Sequence, residues 1–144
     1  MLKGAASLIL WTAAGCFAAP ATESGCTSSR SVEYEPTRVE LAGRVFVARS
    51  RHPNGTRLTY PVLRLHQPIA VAGEVGPKNP VNVPETCIFE VQLFASNPQL
   101  DKKLVSLKSR GAVVRGTLFH GHTAWHSRKI MMNVTEFEVS GPAR

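Results

Sequence analysis

The sequence is short of acid. It contains one aspartate, Asp101, and its glutamates are scattered, giving 10 acidic against 17 basic residues and a net charge of +7. No Gly-x-Ser-x-Gly, His-Glu-x-x-His or cysteine–histidine nucleophile pattern occurs, which removes the common hydrolase classes that announce themselves in sequence. The Ser127–His126 pair has no orienting acid beside it. Gly-Glu-Val-Gly-Pro-Lys at residues 73–78 lacks the spacing and the Gly-Lys-Ser/Thr of a phosphate loop. Beyond the N-terminus no apolar run approaches the length needed to span a bilayer, and no block of like charge stands out. These absences lead us to expect a chain without catalytic activity.

Cysteine is also scarce, with three in all. Lys3, the apolar residues 5–14 centred on Leu8, Ile9, Leu10 and Trp11, and the small residues around Ala19-Pro20-Ala21 have the layout of a secretory signal peptide over residues 1–21. Ala13-Ala14-Gly15-Cys16 is a competing lipoprotein-type site that would anchor the chain through a lipid on Cys16. Export to the periplasm or medium leaves Cys26 and Cys87 as the remaining thiols, and in an oxidising compartment one disulfide between them is expected. A long closed loop of this kind stabilises by roughly 3–4 kcal/mol.

The roughly 120 residues that remain suffice for one domain with one core. Removing the leader takes away Lys3 and no acid, leaving 16 basic against 10 acidic residues, a charge of +6. That balance attracts anionic partners, while a purely solubilising role for the charge is the competing reading.

Residues 22–36 read as an arm rich in Ser, Thr and Gly, and residues 37–139 as the domain. Val39, Leu41, Gly43, Val45 and Val47 alternate with Arg38, Glu40, Ala42, Arg44 and Phe46, a period of two that predicts a long half-buried strand. Gly43 predicts a bulge or bend through which that strand serves both halves of a curled sheet. Turn residues at 51–55 lead to a second strand over residues 57–66, with Pro61 on an edge, and Ile69 to Ala72 offers a short extension. Residues 73–84, with two glycines and three prolines, form a long loop.

A third, central strand is predicted over 87–95. Asn97 then caps a helix with Pro98 in its first turn, Leu100, Leu104 and Leu107 on one face, and Gly111 as its stop. Strands over 112–119 and 128–138 follow, and residues 140–144 make a disordered tail. The fold expected is mainly β: an OB-fold-like five-stranded Greek-key barrel with one short helix between strands three and four. An immunoglobulin-like sandwich ranks second.

Two constellations stand out. His120, His122 and His126, with Trp125 and Arg128, occupy a strand–loop–strand over residues 116–132. Alternate residues of an extended segment share a face, so His120 and His122 are expected to converge and a turn to return His126, giving a zinc or copper site. Without a carboxylate in the loop to orient the rings, recognition competes with metal binding, Trp125 serving as the anchor. The second constellation is Arg44, Phe46, Tyr60, Arg64 and His66 on one side of the first hairpin, with Arg49, Arg51 and Arg57 near its turn. Basic and aromatic residues interleaved in this way suit an anionic polymer or oligosaccharide on an OB-fold. Plain packing and solvation of these side chains is the competing reading.

Tyr34-Glu35-Pro36, Val39-x-Leu41-x-Gly43, Leu63-x-Leu65-x-x-Pro68-Ile69 and Gly116-Thr117-Leu118-Phe119-His120-x-His122-Thr123, in that order, resemble a family of small exported bacterial proteins known as a domain of unknown function. The resemblance implies a secreted OB-like domain and brings no activity with it. Members often carry a cysteine just after the Pro-Ile pair, where this chain has Ala70. The function expected is an exported binding domain that engages or restrains an envelope protein through the loop between strands four and five. A metal-binding domain and an OB-type binder of an anionic polymer or oligosaccharide are the alternatives. Nucleic acid is not expected as a partner in the envelope, and no transmembrane segment is expected in the mature chain.

Overall fold

The structure, a computed structural model, describes residues 25–73 and 80–141. The leader lies outside these residues, as do residues 142–144 at the end of the chain. Six strands and one helix follow in the order β1 Arg30–Glu33, β2 Arg38–Arg51, β3 Arg57–Ala72, β4 Glu85–Phe94, α1 Pro98–Ser106, β5 Gly111–His120 and β6 Ile130–Ser140. No helix among the described residues is long and apolar enough to cross a membrane.

β2 is the strand that organises the sheet. Val39, Leu41 and Val45 are buried while Arg38, Glu40 and Arg44 are exposed, as the period of two requires. Its first half pairs antiparallel with β5 and its second half with β3, and the two ladders overlap at Gly43 and Arg44. A Cβ on Gly43 would lie 2.2 Å from the carbonyl oxygen of Arg64, so only glycine admits β3 that close. One strand therefore serves two neighbours on one side of the core.

The six strands form one sheet in the order β1-β3-β2-β5-β6-β4, with β3 also pairing β4, so that the succession of pairings returns to β3. β4 and β6 run parallel; β3 and β4 are antiparallel. The residues facing inward from these strands, among them Leu41, Val45, Leu63, Val91, Val114, Leu118, Ile130 and Met132, make one buried cluster. Leu104 of α1 joins it, fully buried. Asn97 caps the helix, its side chain accepting from the backbone N–H groups of Gln99 and Leu100 at 2.9 and 3.2 Å.

Four features differ from what the sequence predicts. The helix stops at Ser106, before Gly111: Ser109 takes the left-handed conformation (φ 67°), and the backbone of Ser109 and Arg110 already pairs with Val45. β3 does not end at Gln67-Pro68, because a register shift against β4 between Arg64 and Ile69 absorbs that pair. The extension over Ile69 to Ala72 thereby gains a partner of its own. That partner is β1, a sixth strand within the expected arm, parallel to β3 from Arg30 opposite Ile69 to Glu33 opposite Ala72. At its other end, β6 continues to Ser140, which pairs with Gly111.

Cys26 and Cys87 form a disulfide, with Cα atoms 5.9 Å apart across a sequence separation of 61. It fastens the start of the described chain to β4. The Tyr34-Glu35-Pro36 motif reinforces that attachment. The Tyr34 hydroxyl donates to the Val83 carbonyl at 2.8 Å, and the Glu35 N–H donates to the Leu118 carbonyl at 2.8 Å.

Candidate functional site

The core has a second, smaller counterpart on the outside of the sheet. Tyr60, Val62 and Met131 are buried yet stand apart from the main cluster. On their strands they alternate with the inward-facing Leu63, Ile130 and Met132, so they point outward. Val62 pairs with Gln92, and Gln92 with Met131, which lines these side chains up across β3, β4 and β6. Phe94 and Phe119 extend the outward face, edge to face at 5.4 Å.

The connection between β5 and β6, residues 121–129, is attached to this face. Its base is pinched by the Gly121 N–H donating to the Lys129 carbonyl at 2.7 Å. A Cβ on Gly121 would lie 2.4 Å from the Arg128 carbonyl oxygen, so the pinch requires glycine. Gln92, only 6% exposed, holds the middle. Its Oε1 accepts from the Ser127 N–H at 2.8 Å and its Nε2 donates to the Trp125 carbonyl at 3.3 Å.

The β2–β3 hairpin holds the same loop from the other side. The His52 ring stacks on Trp125 with centroids 4.1 Å apart, and the hydroxyls of Ser50 and Ser127 are 3.1 Å apart. Trp125 remains 51% exposed. It is thus a large aromatic residue fixed at its backbone and on its ring, with half of its surface in solvent.

The two constellations seen in the sequence meet through a residue that neither contains. Glu90 accepts from Arg64 at 2.7 Å and from Arg128 at 2.7 Å, one guanidinium on each carboxylate oxygen. Arg64 also lies over the Phe46 ring at 4.8 Å, and Arg128 over Tyr60 at 6.0 Å. Phe46, Arg64, Glu90, Arg128 and Tyr60 form one continuous chain, and Arg128 is a strut within it, bonded also to the Ser127 carbonyl. Arg44 stands apart, lining a cleft of about 360 Å³ with His66, Arg110 and Ser140.

The three loop histidines do not converge. The strand ends at His120, whose Nε2 lies 3.2 Å from Glu85 and whose Nδ1 lies 3.0 Å from the Gly121 carbonyl. Glu85, at the start of β4, also accepts from Lys129 at 3.0 Å. It is a carboxylate partner that the loop sequence does not reveal. His122 and His126 instead lie against Phe119, with ring centroids 6.4 and 5.5 Å from it. Phe119 and His120 are consecutive strand residues and point to opposite faces, so these contacts separate His120 from the other two. Among the described residues, no group of three or more His, Cys, Asp or Glu side chains gathers as a metal site.

Charge at the site favours neutral pH. Burial, and then the neighbouring His122, hold His126 below its ordinary value of 6.5. Burial raises the Glu85 carboxyl, but Lys129 and His120 outweigh it and leave the group below 4.5. Burial acts likewise on Glu90, and Arg64 and Arg128 outweigh it. Tyr34 is pushed up to about 12, by burial and then by Glu85.

For all three depressed groups the unfolded chain binds protons more readily than the folded one, so stability rises with pH across each titration. The His126 contribution is complete above 6.5 and is lost as pH falls through the folded value. The two glutamates' contributions are complete above 4.5 and are lost in the same sense. Thermal melts from pH 7 to pH 3 therefore fall in two limbs, and His126→Gln flattens the upper one. A melting temperature that rises on acidification from pH 7 to pH 5 contradicts these assignments.

Residues 90–138 match a family described as a domain of unknown function (DUF4431). The match contains Glu90, Gln92, α1 and the whole β5–β6 loop, and it leaves out Tyr34-Glu35-Pro36 and the β2–β3 hairpin. No curated protein matches the chain.

Proposed function

We propose that this chain is an exported, non-catalytic binding domain of OB-like design, and that its β5–β6 loop presents Trp125 to a protein partner in the cell envelope. The observation that carries this reading is Trp125 itself. Binding hot spots are enriched in tryptophan, and an anchor that is rigid before binding loses less entropy on association. Trp125 meets both conditions, because Gln92 and His52 fix it while half of its surface stays exposed.

The closed succession of pairings around β2–β6, with the helix between β4 and β5, supports the OB-like design. In that fold the second and third strands and their flanking loops bind ligands; their counterparts here are β3, β4, the β2–β3 hairpin and the β5–β6 loop. The chain's own loop lies on that face. This favours a partner that meets the loop over a polymer laid along bare strands. The Cys26–Cys87 disulfide supports an oxidising compartment, as does the leader-like sequence at the N-terminus.

Affinity capture from envelope extract tests the reading. The intact chain is expected to retain one defined partner through washing at moderate salt. Trp125→Ala, which removes an exposed ring and leaves the core intact, should lower recovery of that partner at least tenfold (about 1.4 kcal/mol). Equal recovery by Trp125→Ala, or no partner retained, overturns it.

A further inference from the structure

The β2–β3 hairpin has two unlike faces. In the register of the pair, Val45 opposes Leu63, Val47 opposes Pro61, Arg49 opposes Thr59 and Arg51 opposes Arg57. These residues share the face that, further back, points into the core. Where the core ends, the row turns from valine to arginine. The other face carries Ser50 and His52 and is occupied by Ser127 and Trp125. Arg49, Arg51 and Arg57 line an open cleft of about 510 Å³ with Thr59, and its lining takes in Ser50 and Leu58 of the strands between them.

Among the described residues, none of these three arginines has an ion pair. Five of the eight described carboxylates are engaged elsewhere, Glu40, Glu136 and Glu138 around Arg115, Glu85 on Lys129, and Glu90 on Arg64 and Arg128, and the other three, Glu33, Glu35 and Asp101, form no ion pair with these arginines. Like charges directly opposed across a strand pair are destabilising, and Arg51 and Arg57 are so opposed, with Arg49 about 7 Å along the same strand. The turn beneath them is rigid. His52 N–H bonds the Thr56 carbonyl, Asn54 Oδ1 accepts from the Thr56 N–H, and Gly55 takes φ 90°. The repulsion is thus held in place by a preformed hairpin.

We propose that this arginine face is a binding site for a phosphate-bearing ligand. Planar guanidinium forks match phosphate and carboxylate oxygens alike, and stoichiometry separates the two. Elsewhere in this protein one carboxylate serves two guanidiniums, one on each oxygen, as Glu90 does. Three unpaired guanidiniums on one small face call for an anion with more charge and more acceptor oxygens, which a phosphate supplies in a single group. No aromatic side chain lines the cleft, and the stacking platform that single-stranded nucleic acid uses is missing from it. The site is on the opposite hairpin face from Trp125 and needs no protein partner, so it stands or falls separately from the reading above.

The test is titration calorimetry of the purified full chain with inorganic tripolyphosphate. Binding is expected at low salt and should weaken steeply as salt rises. Arg51→Gln/Arg57→Gln should lower affinity at least tenfold while leaving the melting temperature equal or higher, since it relieves a like-charge pair. Lys102→Gln/Lys103→Gln on α1 removes the same net charge and should retain binding. No binding, an equal loss in the lysine variant, or tighter binding of poly-glutamate than of tripolyphosphate overturns the proposal. Sedimentation with vesicles of phosphatidylcholine alone, or of equal parts phosphatidylcholine and phosphatidylglycerol, then assigns the source. Capture by the anionic vesicles through the same arginines identifies a lipid headgroup, and indifference to them identifies a soluble or polymeric phosphate.

Discussion

Serine in place of both Cys26 and Cys87 lowers the unfolding free energy by about 3–4 kcal/mol, which for a domain of this size lowers the melting temperature by roughly 10–20 °C. The effect is large because the bridge spans a sequence separation of 61 and restricts the unfolded chain accordingly. It is also large because the other ties before Tyr34 are few: Ser28 accepts from the Cys87 N–H, Ser29 bonds the Pro68 carbonyl, and β1 adds one short parallel ladder. Cys87 has a positive φ of 56° within β4, where the register against β3 shifts between Ile69 and Val71. A side chain at such a position is strained, and glycine is not. Cys26→Ser/Cys87→Gly should therefore melt above the double serine variant, recovering about 1 kcal/mol. Melts of the three forms in oxidising buffer read both effects. Equal melting temperatures for the intact and double serine chains contradict the account.

Gln92→Leu is expected to free the β5–β6 loop. Leucine fills a similar volume between Val62 and Met131, so the outer apolar layer survives. What is lost is the pair of hydrogen bonds to the Ser127 N–H and the Trp125 carbonyl. Leaving those half-buried groups without a partner costs about 2–3 kcal/mol. The loop can recover water by lifting away, so the cost appears as local opening more than as global unfolding. Trypsin cleavage after Arg128 or Lys129 should accelerate roughly 30- to 140-fold in the variant, at 1.4 kcal/mol per tenfold. The melting temperature should fall less than in the cysteine variant. An unchanged cleavage rate means that the loop is held by something other than Gln92.

Much of the fold is legible in local pattern. β2 is readable because Val39, Leu41 and Val45 alternate with charged residues, and α1 because Asn97-Pro98 precedes leucines at helical spacing. β1 is not readable: Arg30–Glu33 has no apolar alternation, and its partners are the far end of β3 and, through the nearby disulfide, β4. The site was half legible. The position of the loop and the prominence of Trp125 follow from sequence, whereas the grouping of three histidines requires the chain to stay extended through His122, and the strand ends at His120. Gln92 and Glu90 act across separations of 26 to 38 residues, so no window around the loop contains them. Their one local trace is the alternation of Glu90, Gln92 and Phe94 on the outward side of β4. The apolar neighbours Val91 and Leu93 obscure it.

A partner met by the clamped β5–β6 loop covers that loop's backbone. Hydrogen–deuterium exchange of the chain, free and with its captured partner bound, measures this most directly. Added protection is expected at residues 121–127 and at the adjoining hairpin residues 50–52, with α1 unchanged. Protection confined to α1 or to the outer end of β6, with the loop exchanging as fast as in the free chain, would contradict it.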